Sequence, residues 1–179
     1  MESASSNQRQ WVLDVLAEYE IPLLRFALRL LGDEPTARDC VQHVFLQLCA
    51  QSGQTLRDRV GQWLFAVCRN KAVDLVRYRN SAAGGAEGEL SQAAGTEIDP
   101  AIAAEQEDLY RCIRRLMGQL PLPQREALAL WSEGLGYRQI AALTHTTEGN
   151  VRVIVHRALN QLRQHPLAQQ LLLSISSEA

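Results

Sequence analysis

The residues of this 179-residue chain with the clearest chemical logic lie between Gly136 and Arg163. Gly149, Arg152, Val153, His156, Asn160 and Arg163 share one side of a helix, within an arc of roughly 100° at 3.6 residues per turn. The chemistry of such a face is hydrogen bonding to base edges, not bond breaking. An arginine forks onto guanine, an apolar methyl meets the thymine methyl, and a small residue at the helix start lets the backbone approach phosphate. The plain alternative is a solvated face on a structural helix pair. Catalysis has no comparable support. His43, His145, His156 and His165 share no spacing that suggests it, and no Gly-rich phosphate loop, nucleophile elbow or metal triad is present. The chain is read as a non-enzyme with no cofactor and no metal.

Positioning that face requires two helices and a tight turn. Tyr137–Leu143 forms the first, with Ile140, Ala141 and Leu143 apolar. Thr144-His145-Thr146 is a polar break suited to a turn and an N-cap. The second runs from about Glu148 to Leu162, and Val151, Val155, Ala158 and Leu162 form its buried stripe. Upstream, Ala101–Leu120 is helical, with Leu109, Ile113, Leu116 and Leu120 on one side. Pro121-Leu122-Pro123 breaks it, and Gln124–Ser132 is helical again before Gly134.

The N-terminal half is also helical in pattern. Residues 1–10 are polar and expected to be loose. Trp11–Leu31 carries Trp11, Val15, Tyr19, Leu23, Leu24, Ala27, Leu30 and Leu31; Pro22 starts a new helix or kinks the first, and Gly32 ends it. Asp33-Glu34-Pro35 opens a helix that buries Cys40, Val41, Val44, Phe45 and Leu48 and shows Arg38, Asp39, Gln42 and His43 outside. Gln51–Gly61 reads as a loop. Gln62–Tyr78 packs Leu64, Val67, Cys68 and Leu75, with Trp63 bordering that core. Arg69, Asn70, Lys71, Asp74, Arg77 and Arg79 cover its surface, a composition that suits single-stranded nucleic acid as well as an ordinary solvated helix.

The net charge of −2 hides a strong asymmetry. Residues 1–80 hold ten Lys/Arg against nine Asp/Glu. Residues 81–110 hold seven acids and no base, and residues 111–179 hold eight bases against four acids. A basic C-terminal unit is masked by an acidic middle, so weak DNA binding by the isolated chain is expected. The glycine-rich stretch Ser81–Pro100 has little to bury and reads as a flexible linker. Cys40, Cys49, Cys68 and Cys112 fit no zinc spacing and no disulfide framework, and read mostly as reduced core residues. The chain has no run of eighteen apolar residues and no basic-then-apolar leader, so a cytoplasmic protein that is not membrane-embedded is expected. The fold class is all-α: two small helical domains joined by a flexible acidic linker, the C-terminal one ending in a helix-turn-helix.

In this order, five segments resemble the extracytoplasmic-function (ECF) sigma factors of the sigma-70 family. They are LLRFALRLLGD (Leu23–Asp33), ARDCVQHVF (Ala37–Phe45), WLFAVCRNKAVDLVR (Trp63–Arg77), LPLPQREALAL (Leu120–Leu130) and GYRQIAALTHTTEGNVRVIVHRALNQLR (Gly136–Arg163). The resemblance covers about 150 residues and implies a promoter-specificity subunit of RNA polymerase. It implies region 2 at 11–80, a linker at 81–104, region 4 at 105–165 and a tail at 166–179. It places Asp39, Gln42, His43, Val44 and Phe45 against the clamp of the polymerase's largest subunit. It places Trp63, Arg69, Asn70, Asp74 and Arg77 at the −10 promoter element, together with the loop Gln51–Gly61. Arg125, Thr147, Gly149, Asn150, Arg152, Val153, His156 and Arg157 fall near the −35 element. The acidic linker would thread towards the active-site cleft and RNA exit path, where its charge resembles that of nascent RNA. An anti-sigma factor is a further implied partner.

Two departures stand out. The family's clamp-binding run is usually more acidic than Thr36-Ala37-Arg38-Asp39, and His43 stands where an acid is common. Phosphorylation of Thr36 by a Ser/Thr kinase would restore that charge. Val153 and Ile154 stand where polar or basic residues are frequent, which shifts readout towards thymine methyls. The other reading of the chain is a stand-alone helix-turn-helix regulator that binds duplex DNA without polymerase. The tail, with Leu171, Leu172, Leu173 and Ile175, would cap the core or meet a partner.

Overall fold

The computed structural model describes residues 2–51, 53–56, 59–82 and 111–166, and among these every regular element is a helix. They fall into two compact units, 1–88 and 89–179. The expected linker, apart from Ser81 and Ala82, and the tail beyond Pro166 lie outside the described residues, as do the first ten residues of the helix expected from Ala101.

The N-terminal unit is built on α1 (Glu2–Leu31), which packs against α2 (Glu34–Cys49) and α4 (Val60–Ala82), with α2 also against α4. α1 begins at Glu2, not at Trp11, and so takes in residues expected to be loose; it runs through Pro22 as one helix, so of the two readings of Pro22 the start of a new helix is excluded. Its early start has side-chain support: the Gln10 amide donates to the Asp14 carboxylate at 2.8 Å, and Gln8 is tied to residues more than forty positions away. The core holds Leu23, Phe26, Ala27, Leu30 and Leu31 of α1 with Ala37, Cys40, Val41, Val44 and Leu48 of α2. α4 buries Leu64, Phe65, Cys68, Ala72, Val73 and Val76, so the inward stripe is not the expected one: Val67 and Leu75 are only half-buried. Phe26 and Phe65, absent from the expected stripes, meet edge to face at 5.7 Å between centroids and an angle of 79°, a favoured aromatic geometry.

The corner between α1 and α2 is closed by one carboxylate. Gly32 turns the chain at φ 79°, a left-handed conformation that glycine adopts without a Cβ clash. Asp33, only 8% exposed, caps α2 by accepting the Thr36 amide at 2.9 Å through Oδ1. Its Oδ2 accepts from Arg79 of α4 at 2.9 Å, and Arg79 also donates to the Leu31 carbonyl at 2.9 Å. Three helices are thus joined at a buried acid whose two oxygens each accept a hydrogen bond. The expected loop at 51–61 contains a short helix, α3 (Gly53–Leu56), and α4 starts at Val60 inside it.

In the C-terminal unit, α5 (residues 111–118) precedes α6 (Leu122–Ser132), α7 (Tyr137–Thr144) and α8 (Glu148–Gln164). α6 begins two residues before the expected start. Pro123 sits in its first turn, where a missing N–H costs no helical hydrogen bond. Gly134, at φ 89°, ends α6, and the Leu135 N–H reaches back to the Leu130 carbonyl at 3.3 Å while its side chain is buried. Ile140, Ala141 and Leu143 of α7 and Val151, Val155 and Ala158 of α8 are buried, as their spacing predicts; Leu162 is half-buried. The turn between them is made by His145 in the left-handed region at φ 54°. The N-cap of α8 is Thr147, one residue beyond the expected break, and it accepts the Asn150 amide at 3.2 Å.

Candidate nucleic-acid interface

The face of α8 opposite its buried stripe is open. Gly149, Asn150, Arg152, Val153, His156 and Arg157 are all exposed, and Val153 shows 45% of its surface. Thr147, also exposed, spends its hydroxyl on the cap. The Asn150 amide donates to the Thr146 hydroxyl at 2.8 Å, which fixes its direction. The Arg152 guanidinium lies over the Tyr137 ring of α7, 5.5 Å from its centroid, and touches Glu148 at 3.4 Å. His156 Nε2 and the Asn160 side-chain amide nitrogen are 3.0 Å apart, one turn along α8. An ideal Cβ on Gly149 would meet nothing within 4 Å. The chain's own packing does not require glycine there.

Arg125 is placed differently from the rest. It is half-buried at the start of α6 and donates to the Leu120 carbonyl at 3.4 Å, bracing the corner before the helix.

On α4, Trp63, Asn70, Asp74 and Arg77 fall within roughly 60° of one another at 100° per residue. Asn70, Asp74 and Arg77 are exposed and Trp63 is half-buried. This is an aromatic platform beside polar and cationic groups, the composition that binds single strands by stacking and phosphate contact. Arg69 lies off this stripe and donates to the Asn70 side-chain oxygen at 3.2 Å.

The outer face of α2 is formed by Asp39 and Gln42, both exposed, and His43, half-buried. Two residues expected at a polymerase contact point the other way. Val44 is fully buried and Phe45 is 9% exposed, because both continue the inward stripe from Cys40 and Val41 at helical spacing. They hold α2 in place and do not offer a contact surface. Leu46, 64% exposed, shares this outer face, three and seven positions beyond His43 and Asp39. It is an apolar side chain on an otherwise polar helix face. Glu34 is engaged by Arg38, which donates to it from Nε at 2.8 Å, so these two charges near the start of α2 offset each other. Thr36 is half-buried in the first turn.

Two family models match the chain in order: sigma-70 region 2 at residues 15–82 and sigma-70, region 4 at residues 110–162. The chain is 24% identical to the ECF RNA polymerase sigma factor SigM of Bacillus subtilis over 151 residues, 84% of this chain and 91% of SigM. It is 30% identical to the ECF RNA polymerase sigma factor SigL of Mycobacterium tuberculosis over 154 residues, 82% of this chain and 83% of SigL. In fold it is similar to the sigma factor RpoE of Bartonella quintana, solved in complex with the anti-sigma factor NepR. The TM-score is 0.59 at 24% identity, covering 84% of this chain and 95% of that one. The regions matched are the two helical units that carry the exposed faces of α4 and α8. The chain therefore belongs to the ECF sigma factors of the sigma-70 family, which bind core RNA polymerase and direct promoter recognition and transcription initiation.

Proposed function

We propose that the three exposed faces divide the work of initiation, with residues 11–80 and 105–165 as the acting domains. The observation that carries this is the open face of α8, where Arg152, Val153, His156 and Arg157 surround an unencumbered Gly149. That face reads the −35 element. The α4 face, with Trp63, Asn70, Asp74 and Arg77 and with Arg69 beside it, receives the opened −10 strand. A flipped base costs a few kcal/mol, offset by stacking and by binding the opened strand. The α2 face, through Asp39, Gln42, His43 and Leu46, meets the clamp of the largest polymerase subunit. The chain works in the cytoplasm with the polymerase and has no active site of its own. Among the described residues, no helix is long and apolar enough to cross a membrane.

The test is run-off transcription with core polymerase on genomic fragments that include the chain's own upstream region. Specific starts that need the chain support the proposal. Tight duplex binding alone, with no core binding in any form, would instead favour a stand-alone regulator.

Control rests on two further partners. An anti-sigma factor is one, supported by the complex of the fold relative with NepR. The second is a Ser/Thr kinase acting on Thr36. A phosphate there lies in the first turn of α2, where a helix favours negative charge. It would add the acidity that the Glu34–Arg38 pair and His43 fail to supply. Core affinity should rise for Thr36→Glu over wild type and Thr36→Ala. Equal affinity for all three rejects the switch.

A further inference from the structure

One face of α1 is committed to the segment just before the −10 helix. Gln8, Trp11, Val15 and Tyr19 lie within roughly 80° of each other on α1. The Gln8 side-chain amide uses both ends: Nε2 donates to the Gln51 carbonyl at 2.8 Å, and Oε1 accepts the Gly53 N–H at 3.1 Å. Trp11 lies so close to Gly53 that an added Cβ would stand 2.9 Å from its Cδ2. Tyr19 lies as close to Gly61, where a Cβ would stand 2.8 Å from the phenol oxygen. Real Cβ atoms do not approach so near, so each glycine admits an aromatic from α1. Val15, between the two aromatics, is buried.

We infer that Gln8, Trp11 and Tyr19 are positioning residues for −10 recognition: they set where α3 and the first turn of α4 stand, and so which base is preferred. This rests on the assignment of that segment and of α4 to the −10 strand. The geometry favours a positioning role over plain core filling. Gln8 binds backbone on both sides of the turn into α3, and Gly61 lies only two residues before Trp63. A shift of either brace moves the platform relative to the base it receives. Recognition built on stacking and directional hydrogen bonds is sensitive to such shifts.

The experiment uses holoenzyme assembled from core polymerase and the full chain, and a promoter library randomised at the −10 positions with the −35 element fixed. Gln8→Ala and Gly53→Ala are compared with wild type, and circular dichroism checks folding. Gln8→Ala should reduce the preference for the best −10 base over the next by about fivefold, the scale of losing its two hydrogen bonds at the low end of their usual strength. Core affinity and −35 preference should stay as in wild type. A uniform fall in transcript yield with an unchanged base-preference profile would mean plain structural support and would overturn the inference. Trp63→Ala and Asn70→Ala, on the face assigned to the −10 strand itself, separate the two levels. If they alter the profile while Gln8→Ala and Gly53→Ala do not, the bracing role fails and the −10 assignment stands. If none of the four alters it, the assignment fails and the inference falls with it.

Discussion

Arg152 of α8 rests over the ring of Tyr137 in the helix before it, 5.5 Å from guanidinium carbon to ring centroid. The contact joins the two halves of the helix-turn-helix on its exposed side, while Ile140, Val151 and Val155 join them inside. A long side chain that would otherwise sample many rotamers is held in a narrower set. Its contact to Glu148, at 3.4 Å between two exposed groups, adds little.

Two variants separate recognition from preorganisation. Arg152→Ala should cost about 1–3 kcal/mol in −35 recognition and relax preference at one base position. Tyr137→Leu keeps the apolar packing and removes the cation–π contact, so it should cost less, about 0.5–1 kcal/mol, with base preference retained. Transcription from promoters with single −35 substitutions measures both. Equal transcription by Arg152→Ala and wild type would remove Arg152 from the readout.

At the α1–α2 corner, Arg79→Ala strands the Asp33 carboxylate, which is 8% exposed and keeps only its bond to the Thr36 amide. The guanidinium is partly solvated, so the loss falls short of that for a fully buried pair, about 1–3 kcal/mol. Urea unfolding of residues 1–88 within the full chain should show a lower midpoint with the same slope. Arg79→Lys should recover part of the loss, because one ammonium reaches Asp33 or the Leu31 carbonyl less well than a fork reaches both.

Helix identity was legible in the sequence because apolar spacing at 3.6 residues per turn survives without tertiary knowledge. The buried residues of α7 and α8 follow it closely. Other features depended on partners distant in the chain. The start of α1 is polar, and it is helical beside Gln51 and Gly53, which no local pattern announces. α3 is one turn long, too short for periodicity. Arg79 looked like another surface base on α4, yet its partners lie 46 and 48 residues earlier. Val44 and Phe45 show the opposite problem. Their spacing already put them in the core, and the family resemblance drew them to a surface.

The Cys40–Cys68 pair makes stability depend on alkaline pH. Both thiols are fully buried; Cys40 Sγ lies 3.9 Å from Cys68 Sγ and 3.6 Å from the Cys68 carbonyl, to which it is a donor. The hydrogen bond with Cys40, together with burial, pushes the Cys68 thiol well above its usual range; the same bond draws Cys40 down, but burial opposes that, so the larger shift is the upward one at Cys68. A folded-state value raised above the unfolded one gives stability that is full below the unfolded pKa, about 8.5 for a free cysteine, and is lost as pH rises beyond it. Urea midpoints should fall from pH 8 to pH 10, and Cys68→Ala should flatten that fall while lowering the midpoint at pH 7. An identical pH slope in Cys68→Ala would assign the loss to other groups. In native protein at pH 8, alkylation should reach the exposed Cys49 well before Cys40 or Cys68.

Gly149 sets stability against function. It lies in the first turn of α8, where glycine is a poorer helix former than alanine by up to about 1 kcal/mol. Neither of the usual reasons for glycine applies: its φ is not positive, and beyond its chain neighbours and its own helix backbone a Cβ would meet nothing within 4 Å. The open space lies on the exposed face, beside Arg152 and Val153. Gly149→Ala should therefore raise the unfolding midpoint of the free chain. If the start of α8 meets a DNA phosphate as proposed, the added methyl stands between them in the holoenzyme, and −35 binding should fall by about fivefold. The fall should be uniform across −35 sequences, since a phosphate contact carries no base information. The two measurements are independent, thermal unfolding of the free chain and transcription at varied −35 elements. A stabilised variant with unchanged promoter binding would mean that no DNA backbone comes close to this turn of α8.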